Sequence, residues 1–371
     1  MNDTNRIPYV DLSAQWRDER DELLPIIESV LSVGQYVGGS EIVRFEEEIA
    51  EYIGVSHVVS LNSGTDALIH GLAAIDVGLG DEVITPANSF VASTAAIIQR
   101  NARPVFVDVE SDQNIDTSLI EAAINAKTKA IMPVHLTGRV ANMKRIMEVA
   151  DSYNISVIED AAQAIGSEHY GRPSGSWGRL ACFSAHPLKN LNAMGDAGYV
   201  ATDDSEIASR IRLTRNHGLT GRDAVQMFGQ VSRLDTIQAA VLRYRLRRLP
   251  KVIELRQRNA ELYRETLNPE FVVVPPDREY EFNTWHTFVI QIDRRNDLKE
   301  HLASKGVETS IHYPIPIHMQ PAASGLGYRQ GDLPVTECQA ERILTLPTHQ
   351  FLSEGQVRHV AMLINKFCET N

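Results

Sequence analysis

The stretch 57–86 reads HVVSLNSGTDALIHGLAAIDVGLGDEVITP, and its pattern predicts a strand, a turn, a helix and a second strand. HVVSL and DEVITP are short apolar runs with β-branched residues, whereas TDALIHGLAAI repeats its apolar residues at helical spacing. A strand, a helix and a further strand in succession form the unit from which parallel sheets are built. The stretch therefore predicts an α/β fold.

The same alternation extends on both sides of this stretch. A helical pattern, ASTAAIIQR, follows DEVITP, and five further predicted strands follow it: RPVFVDV, AIMPVHL, SVIED, ACFSA and GYVAT. Two helical patterns precede HVVSL, one at 13–33 and one in EIVRFEEEIAEYIG. We therefore expect a mostly parallel, doubly wound sheet that is covered by helices.

The pattern changes in the last third of the chain. A long helical stretch at 237–267 contains Pro250, where we expect a break or a kink. Beyond it lie a predicted strand, HTFVIQI, a helix, DLKEHLASKG, a proline-rich loop, HYPIPIHMQP, and a last amphipathic helix, SEGQVRHVAMLINKFC. We predict a large domain at 1–250 and a smaller C-terminal α+β domain at 251–371, with the N-terminal helix as a candidate to pack on the small domain.

Composition and charge limit the class of protein. The 371 residues carry a formal net charge of −12, which argues against a general binder of nucleic acid or of anionic membranes. Three scattered cysteines, Cys182, Cys338 and Cys368, fit a reducing compartment. The start MNDTNRIPYVDL does not resemble a signal peptide, and no apolar run is long enough to span a bilayer. We expect a cytoplasmic protein.

Two short segments lie where α/β sheets bind ligands. NSGTDAL, at 62–68, follows a strand and opens a helix, so its backbone N–H groups could hold a phosphate; an ordinary cap by Ser63 or Thr65 is the alternative. SVIEDAAQAIGS, at 156–167, ends a buried strand with Glu159 and Asp160. A carboxylate there could hold a protonated ring nitrogen, or both acids could cap a helix.

A third segment, FSAHPLKNLNAMGDAG at 183–198, holds one lysine without charged neighbours. Most lysines are solvated, but desolvation on a loop near the strand ends would lower the pKa of Lys189 and make its amine nucleophilic. A phosphate turn, a strand-end aspartate and a loop lysine, in that order on one sheet, match the needs of pyridoxal phosphate. The three segments therefore predict a site for that cofactor.

Six segments in this order resemble the DegT/DnrJ/StrS group of pyridoxal phosphate-dependent sugar aminotransferases. They are VGGSEIVRFEEEIAEYIG, NSGTDAL, EDAAQAIGS, FSAHPLKNLNAMGDAG, SRLDTIQAA and HYPIPIHMQ. The resemblance implies the aspartate aminotransferase-like fold type I, with a mostly parallel seven-stranded sheet between helices and a smaller C-terminal α+β domain. It also implies a homodimer with shared active sites.

The resemblance assigns roles around the cofactor. Lys189 would form a Schiff base with the cofactor and then move the proton, and Asp160 would pair with the pyridinium nitrogen. Gln163 would contact the phenolic oxygen of the ring, and Phe90 would lie against the ring face unless it is a plain core residue. The residues that would hold the phosphate are Gly64, Thr65 and Ser184.

Substrate contacts are less well marked in the sequence, and no metal ligands are expected. The candidate substrate-binding residues are His186, Arg215, His312 and Tyr313. His186 is interpreted as shaping the lysine loop, while His135 and His312 could line the pocket or be structural. Arg215 and Arg233 could meet a diphosphate or form structural ion pairs.

One segment departs from the family pattern. GQVSRLDTIQAA has Val231 where many members have an asparagine that reaches the cofactor phosphate of the partner subunit. A valine side chain cannot donate a hydrogen bond. We expect this contact to be absent or to be made by a neighbour such as Ser232 or Arg233.

The resemblance implies transfer of an amino group, usually from L-glutamate, to a keto group of a nucleotide-linked sugar. The sugar would be a dTDP-, UDP- or GDP-keto-deoxyhexose, in amino-sugar biosynthesis for lipopolysaccharide O-antigens or antibiotics. In one dehydratase branch a histidine replaces the lysine, so Lys189 favours transamination. The alternatives are an aminotransferase that acts on a cyclitol or other non-nucleotide ketone, a pyridoxal phosphate-dependent sugar dehydratase or lyase, and a non-catalytic regulatory relative.

Overall fold

The computed structural model describes residues 6–370 and is built around a seven-stranded sheet. Within those residues the strands are β1 (His57–Leu61), β2 (Glu82–Pro86), β3 (Arg103–Val107), β4 (Thr128–Ile131), β5 (Ser156–Asp160), β6 (Glu168–His169), β7 (Arg172–Pro173), β8 (Leu180–Ser184), β9 (Gly198–Thr202), β10 (Glu281–Phe282), β11 (Phe288–Gln291) and β12 (Ile343–Leu346). The order in the large sheet is β1-β9-β8-β5-β4-β2-β3. Only β9 runs antiparallel to its neighbours, so the predicted mostly parallel α/β sheet is confirmed.

The helices pack around this sheet and around a second, C-terminal layer. Over the described residues they are α1 (Leu12–Val33), α2 (Ser40–Ile53), α3 (Gly64–Ala74), α4 (Val91–Gln99), α5 (Ile120–Ala123), α6 (Met143–Tyr153), α7 (Ser205–Thr214), α8 (Thr236–Thr266), α9 (Arg295–Ser304), α10 (Pro334–Arg342) and α11 (Glu354–Thr370). None of the helices within residues 6–370 is long and apolar enough to cross a membrane.

The long helix α8 does not break at Pro250. It is continuous from Thr236 to Thr266, with Pro250 inside it. A proline removes one helical hydrogen bond, but Leu249 and Ile253 on either side of it are buried in the same apolar core. Burial of these flanking side chains offsets the cost of the proline, so packing overrides the local signal for a break.

Several short elements were not predicted. β6, β7 and β10 form a small three-stranded sheet, and β12 pairs antiparallel with β11. The strands β6, β7 and β10 have two residues each, which is too short to show an alternating pattern. These elements connect the large sheet to the C-terminal layer.

The C-terminal layer consists of the second half of α8 together with α9, α11, β11 and β12, and it has an apolar core of its own. Tyr263 of α8, Phe288 of β11 and Phe367 of α11 belong to this core, and Ile7 from the N-terminal segment joins it. In the helix α1, Leu23 is buried against Val241 and Tyr244 in the first half of α8. The predicted domain boundary at residue 250 falls inside α8 and stays a prediction.

A buried ion pair fastens α1 to α8. Nε and Nη2 of Arg245 donate to one oxygen of Glu19 at 2.9 and 2.7 Å. The other carboxylate oxygen of Glu19 accepts from Gln15 at 3.0 Å, and Nη1 of Arg245 donates to the carbonyl of Asn192 at 2.8 Å. The pair therefore ties the N-terminal helix to the loop that carries Lys189.

We predict that Glu19→Ala lowers the free energy of unfolding by about 3 kcal/mol, because it leaves Arg245 buried without a counter-charge. Glu22 pairs with Arg248, and the side chain of Glu22 is 67% exposed. Glu22→Ala should therefore lower the free energy of unfolding by less than about 1 kcal/mol. Urea unfolding of both variants measures the difference. Equal losses would show that the buried pair has no special role in holding α1.

Candidate active site

A cavity of about 410 Å³ opens at the carboxyl ends of the parallel strands. Its wall combines the start of α3, the start of α4, the end of β5, the loop after β8 and segments of the C-terminal layer. The predicted site residues that line it are Gly64, Thr65, Phe90, Asp160, Gln163, Ser184, His186, Lys189, His312 and Tyr313. Strand ends of open α/β sheets are where ligands usually bind, and the structure follows this rule.

Asp160 is the buried carboxylate of the cavity. One of its oxygens accepts a hydrogen bond from Ser93 Oγ at 2.7 Å, and the other accepts from the N–H of Ala162 at 3.2 Å. Burial raises the pKa of Asp160, while these two donors and the charge of Lys189 lower it. The carboxylate is thus fixed in position and faces a basic group.

Its neighbour Glu159 points to the other face of the sheet, as strand alternation requires. Its carboxylate accepts hydrogen bonds from the N–H groups of Gly175, Trp177 and Gly178 at 2.7–2.8 Å. It also bonds Nε2 of His135 at 2.9 Å. Glu159 and His135 are therefore structural, and the interpretation of His135 as a pocket residue is not supported.

Lys189 lies on the loop that follows β8, and burial lowers its pKa to about 8, while the charge of Asp160 acts to raise it. Its Nζ makes no hydrogen bond or ion pair to any other residue within 6–370. A lysine with this pKa is partly neutral at physiological pH, so its amine can act as a nucleophile or a base. The isolation of this lysine in the sequence was the signal for it.

The start of α3 approaches Ser184 so closely that only glycine fits. A Cβ on Gly64 would lie 2.5 Å from Cβ of Ser184, and a Cβ on Gly198 would lie 2.3 Å from the carbonyl carbon of Ser63. Ser63 caps the helix by accepting from the N–H of Asp66 at 3.1 Å. The N–H groups of Gly64 and Thr65 have no acceptor inside the helix. The same turn can therefore be capped by Ser63 and still offer these N–H groups to an anion.

Gln163, Tyr313 and Phe90 form one side of the cavity. Oε1 of Gln163 accepts from the N–H of Thr137 at 2.8 Å, and the Tyr313 hydroxyl bonds the Gln163 side chain. The rings of Phe90 and Tyr313 lie 6.0 Å apart in a tilted arrangement. Phe90 is 55% exposed, so it belongs to the cavity wall and not to the core.

The two predicted histidines of the cavity differ in character. Nδ1 of His312 bonds Thr345 Oγ1 at 2.9 Å, and burial together with the charge of Lys189 lowers the pKa of His312 to about 4. His186 is exposed, and its Nδ1 accepts from the N–H of Leu188 at 3.3 Å. His312 is therefore a neutral wall residue, while His186 shapes the lysine loop.

Arg215 is the one predicted site residue that the structure does not bring to the cavity. Its Nη1 donates to Glu46 and to the carbonyl of Ser60, each at 2.6 Å. Of the two open interpretations, these contacts match the structural ion pair. A substrate contact by Arg215 has no support from the geometry.

The segment around Val231 also lies away from this cavity. Val231 is half-exposed and pairs through its main chain with Asn216. Ser232 Oγ bonds the Asn62 side chain at 3.4 Å, and Nη1 of Arg233 donates to Asn216 at 3.0 Å. These contacts lie within one chain, so a contact of Ser232 or Arg233 with the cofactor of a partner subunit stays a prediction.

Several cavity residues were missed by the sequence analysis: Tyr9, Ser93, Arg256, His286, Thr348 and His349. They come from segments far apart in the chain, and none stands in a motif. Ser93 alone had a signal, since it follows a strand end and begins a helix. The others become neighbours only when the C-terminal layer and the N-terminal segment close over the sheet.

The chain is similar to known proteins over almost its whole length, as three of them illustrate. The chain is 40% identical over 367 residues to UDP-N-acetyl-3-dehydro-α-D-glucosamine 3-aminotransferase of Acidithiobacillus ferrooxidans, covering 99% of each chain. The crystal structure of DesV from Streptomyces venezuelae superimposes with a TM-score of 0.96 at 38% identity, covering 98% of this chain and 99% of that one. The PLP form of a putative sugar aminotransferase from Streptococcus pneumoniae superimposes with a TM-score of 0.89 at 27% identity, covering 94% and 96%.

A family model matches residues 17–365. The family is dependent on pyridoxal phosphate, in agreement with the S. pneumoniae structure. The match spans almost the whole chain and includes every predicted residue of the cavity. The chain belongs to the DegT/DnrJ/EryC1/StrS aminotransferase family.

Proposed function

We propose that this aminotransferase moves an amino group from an amino acid, with L-glutamate as the expected donor, to a keto carbon of a nucleotide-linked sugar. One observation carries the proposal: a desolvated lysine amine, a buried carboxylate and a free helix N-terminus face the same cavity. The relatives support the sugar, since the A. ferrooxidans protein is named for a UDP-linked keto sugar.

The residues of the cavity fit pyridoxal phosphate. A Cβ at Gly64 or Gly198 would fill the space at the start of α3, and the N–H groups there suit a phosphate dianion. The carboxylate of Asp160 is held by Ser93 and Ala162 and interacts with the charge of Lys189. It suits a protonated ring nitrogen. When bound, the cofactor supplies an aldehyde and an electron-withdrawing ring, which the protein itself lacks.

Each residue then has a role that follows from its contacts. Gly64, Thr65 and Ser184 hold the phosphate, Asp160 keeps the ring nitrogen protonated, and Phe90 covers one ring face. Gln163, oriented by Thr137 and Tyr313, donates to the phenolic oxygen. Nζ of Lys189 would hold the cofactor covalently through its aldehyde, with loss of water, and as a free amine it would accept and return the proton of the substrate carbon.

The sugar half of the reaction uses the rest of the cavity. A volume of about 410 Å³ accommodates the cofactor and one sugar, so the nucleotide extends toward the opening. Binding energy from the nucleotide, which is remote from the reacting carbon, helps to orient the sugar. His312 and Tyr313 are the proposed sugar contacts, and His186 lies at the rim.

We also propose a homodimer with shared active sites. The segment from Asn216 to Val231 presents apolar side chains to solvent, with Phe228 98% exposed and Val225 and Val231 half-exposed. Leu188 and Met194, on the lysine loop, are exposed as well. A second copy would bury these side chains and bring residues of its own to the cavity opening.

The function is tested with purified, cofactor-loaded protein. L-glutamate should convert the cofactor to its pyridoxamine form with release of 2-oxoglutarate, and a nucleotide-linked keto sugar should then gain the amine, seen by mass spectrometry. Trials with dTDP-, UDP- and GDP-linked sugars and with a keto-cyclitol separate the main proposal from its alternative. Lys189→Ala should abolish conversion. Failure of every amino acid to convert the wild-type cofactor would overturn the proposal.

Gly64→Ala is expected to weaken binding of pyridoxal phosphate by an order of magnitude or more. The added Cβ, 2.5 Å from Cβ of Ser184, pushes the start of α3 away from the phosphate. Equilibrium dialysis gives the affinity, and circular dichroism shows that the fold is kept. Gly78→Ala is the matched control, because its Cβ would come no closer than 3.9 Å to any other group. Unchanged affinity in Gly64→Ala would contradict the assignment of the cradle.

The amine of Lys189 is expected to react at unusually low pH. Since burial lowers its pKa to about 8, the labelling rate by a small amine-reactive ester should reach half its maximum near pH 8 in the cofactor-free protein. Nα-acetyl-lysine in the same tube reports a solvated amine, near pH 10.4. Asp160→Asn removes a charge that raises this pKa, so its midpoint should fall further. Mass spectrometry of the labelled peptide follows the rate, and a midpoint near that of the reference amine would contradict the desolvated site.

A further inference from the structure

Arg256 is a buried cation in the cavity wall. It lies on α8, is 4% exposed and lines the cavity. Its Nη1 donates to the main-chain carbonyls of Trp285 and His286 at 3.3 and 3.1 Å. Its Nε is buried without an acceptor, and its Nη2 makes no hydrogen bond to any residue within 6–370. The guanidinium is therefore fixed by one nitrogen, while the edge formed by the other two has no partner.

That free edge is the one that two other arginines of α8 use for carboxylates. Nε and Nη2 of Arg243 donate to one oxygen of Glu48 at 2.9 and 2.6 Å, and the same atoms of Arg245 donate to Glu19. Arg245 also uses its Nη1 for main-chain carbonyls, as Arg256 does. Arg256 thus makes main-chain contacts like those of Arg245 but has no acid as partner. Since its Nε is fully enclosed, a charge-assisted hydrogen bond from Nη2 to a carboxylate is the contact left to it.

The protein supplies no counter-charge near Arg256. The carboxylates that line the cavity belong to Asp160, which is held by Ser93, and to Asp196, which is exposed. Burial lowers the pKa of Arg256 to about 10, so it still carries its charge at neutral pH. Burial lowers the pKa of both His286 and His349, and the charge of Arg256 lowers it further, which places two neutral imidazoles beside Arg256. An anionic ligand at Arg256 would therefore meet a positive charge that no carboxylate of the described residues neutralises.

We propose that Arg256 binds the α-carboxylate of the amino-acid donor. His286 lies between Arg256 and Lys189. Its main-chain carbonyl accepts a hydrogen bond from Arg256, and the charge of Lys189 acts on its imidazole. A donor whose carboxylate lies on Arg256 would therefore present its α-amine toward Lys189. The phenol of Tyr9, which also interacts with the charge of Arg256, completes the subsite. The inference rests on the proposed function, because it concerns the first half of that reaction.

The test compares Arg256→Gln and Arg256→Lys with the wild-type holoenzyme. Single-turnover conversion of the cofactor by L-glutamate gives a half-saturating concentration, which should rise roughly 30-fold or more in Arg256→Gln. Arg256→Lys keeps the charge without the fork and should fall between the two. A binding measurement that needs no turnover is calorimetric titration with α-methyl-L-glutamate, which has no α-hydrogen. Its affinity should fall by the same factor.

Arg258→Gln is the matched control. Arg258 lies on the same helix and bonds the carbonyl of Leu352 at 2.7 Å, but it does not line the cavity. It should lose stability without a change in the glutamate concentration required. If Arg258→Gln raised that concentration as much as Arg256→Gln, a general disturbance of α8 would explain the effect and the assignment would be wrong.

Two further arms identify the carboxylate. Alanine has only the α-carboxylate, so Arg256→Gln should weaken alanine and glutamate alike; a loss confined to glutamate would overturn the α assignment. With the pyridoxamine-loaded protein, saturation by the keto sugar should not change, and a loss confined to this half would assign Arg256 to the sugar substrate instead. If no amino acid converts the cofactor of the wild-type protein, the proposed function fails. If it does convert and Arg256→Gln needs no more glutamate, only the role of Arg256 fails.

Discussion

Desolvation of two opposite charges in one cavity is the constraint on which the rest of the site depends. β5 and β8 are parallel neighbours in which Asp160 pairs with Cys182, so the chain leaving β8 for the lysine loop begins beside the carboxylate. Burial raises the pKa of Asp160 and lowers that of Lys189, while each charge acts against the shift of the other. The sheet order thus brings a carboxyl group and a desolvated amine together in one cavity, and desolvation makes this amine easier to deprotonate than a lysine in water.

The loop that carries Lys189 is fixed by buried polar contacts. The side chain of Asn190 donates to the carbonyl of Thr284 at 3.0 Å, and that of Asn192 donates to Pro187 at 2.7 Å. Through Arg245 the same loop is joined to α1 and α8, so distant helices hold the lysine in place. Fixing a lysine side chain costs about 2 kcal/mol of side-chain entropy, and fixing its backbone adds a further cost. Because the loop is already fixed in the folded protein, the backbone cost is not incurred again when Lys189 reacts.

The sequence predicts the strands of the large sheet and the part of the candidate site that lies at strand ends and helix starts. The seven strands, the turn at Gly64, Asp160 and Lys189 are marked by local patterns, because each lies at a strand end or a helix start. Arg256 and Tyr9 carry no such mark, since their role depends on which residues the tertiary fold leaves without partners. Arg215 shows the reverse case: an arginine near suitable motifs whose charge is already neutralised by Glu46, which only the structure reveals.

The two ends of the cavity differ in construction, and the proposed function would use this difference to accept two substrates at one site. The phosphate end consists of main chain in direct contact, where Gly64 and Gly198 leave no room for a Cβ. Such contacts cannot adjust, which suits a cofactor that is present in both halves of the reaction. The opposite end consists of side chains from the C-terminal layer, including Arg256 and His312. Arg256 is held by hydrogen bonds to two main-chain carbonyls and His312 by one to Thr345. In the proposed reaction the charge of Arg256 would bind the amino acid, and the neutral polar groups of this end would contact the sugar.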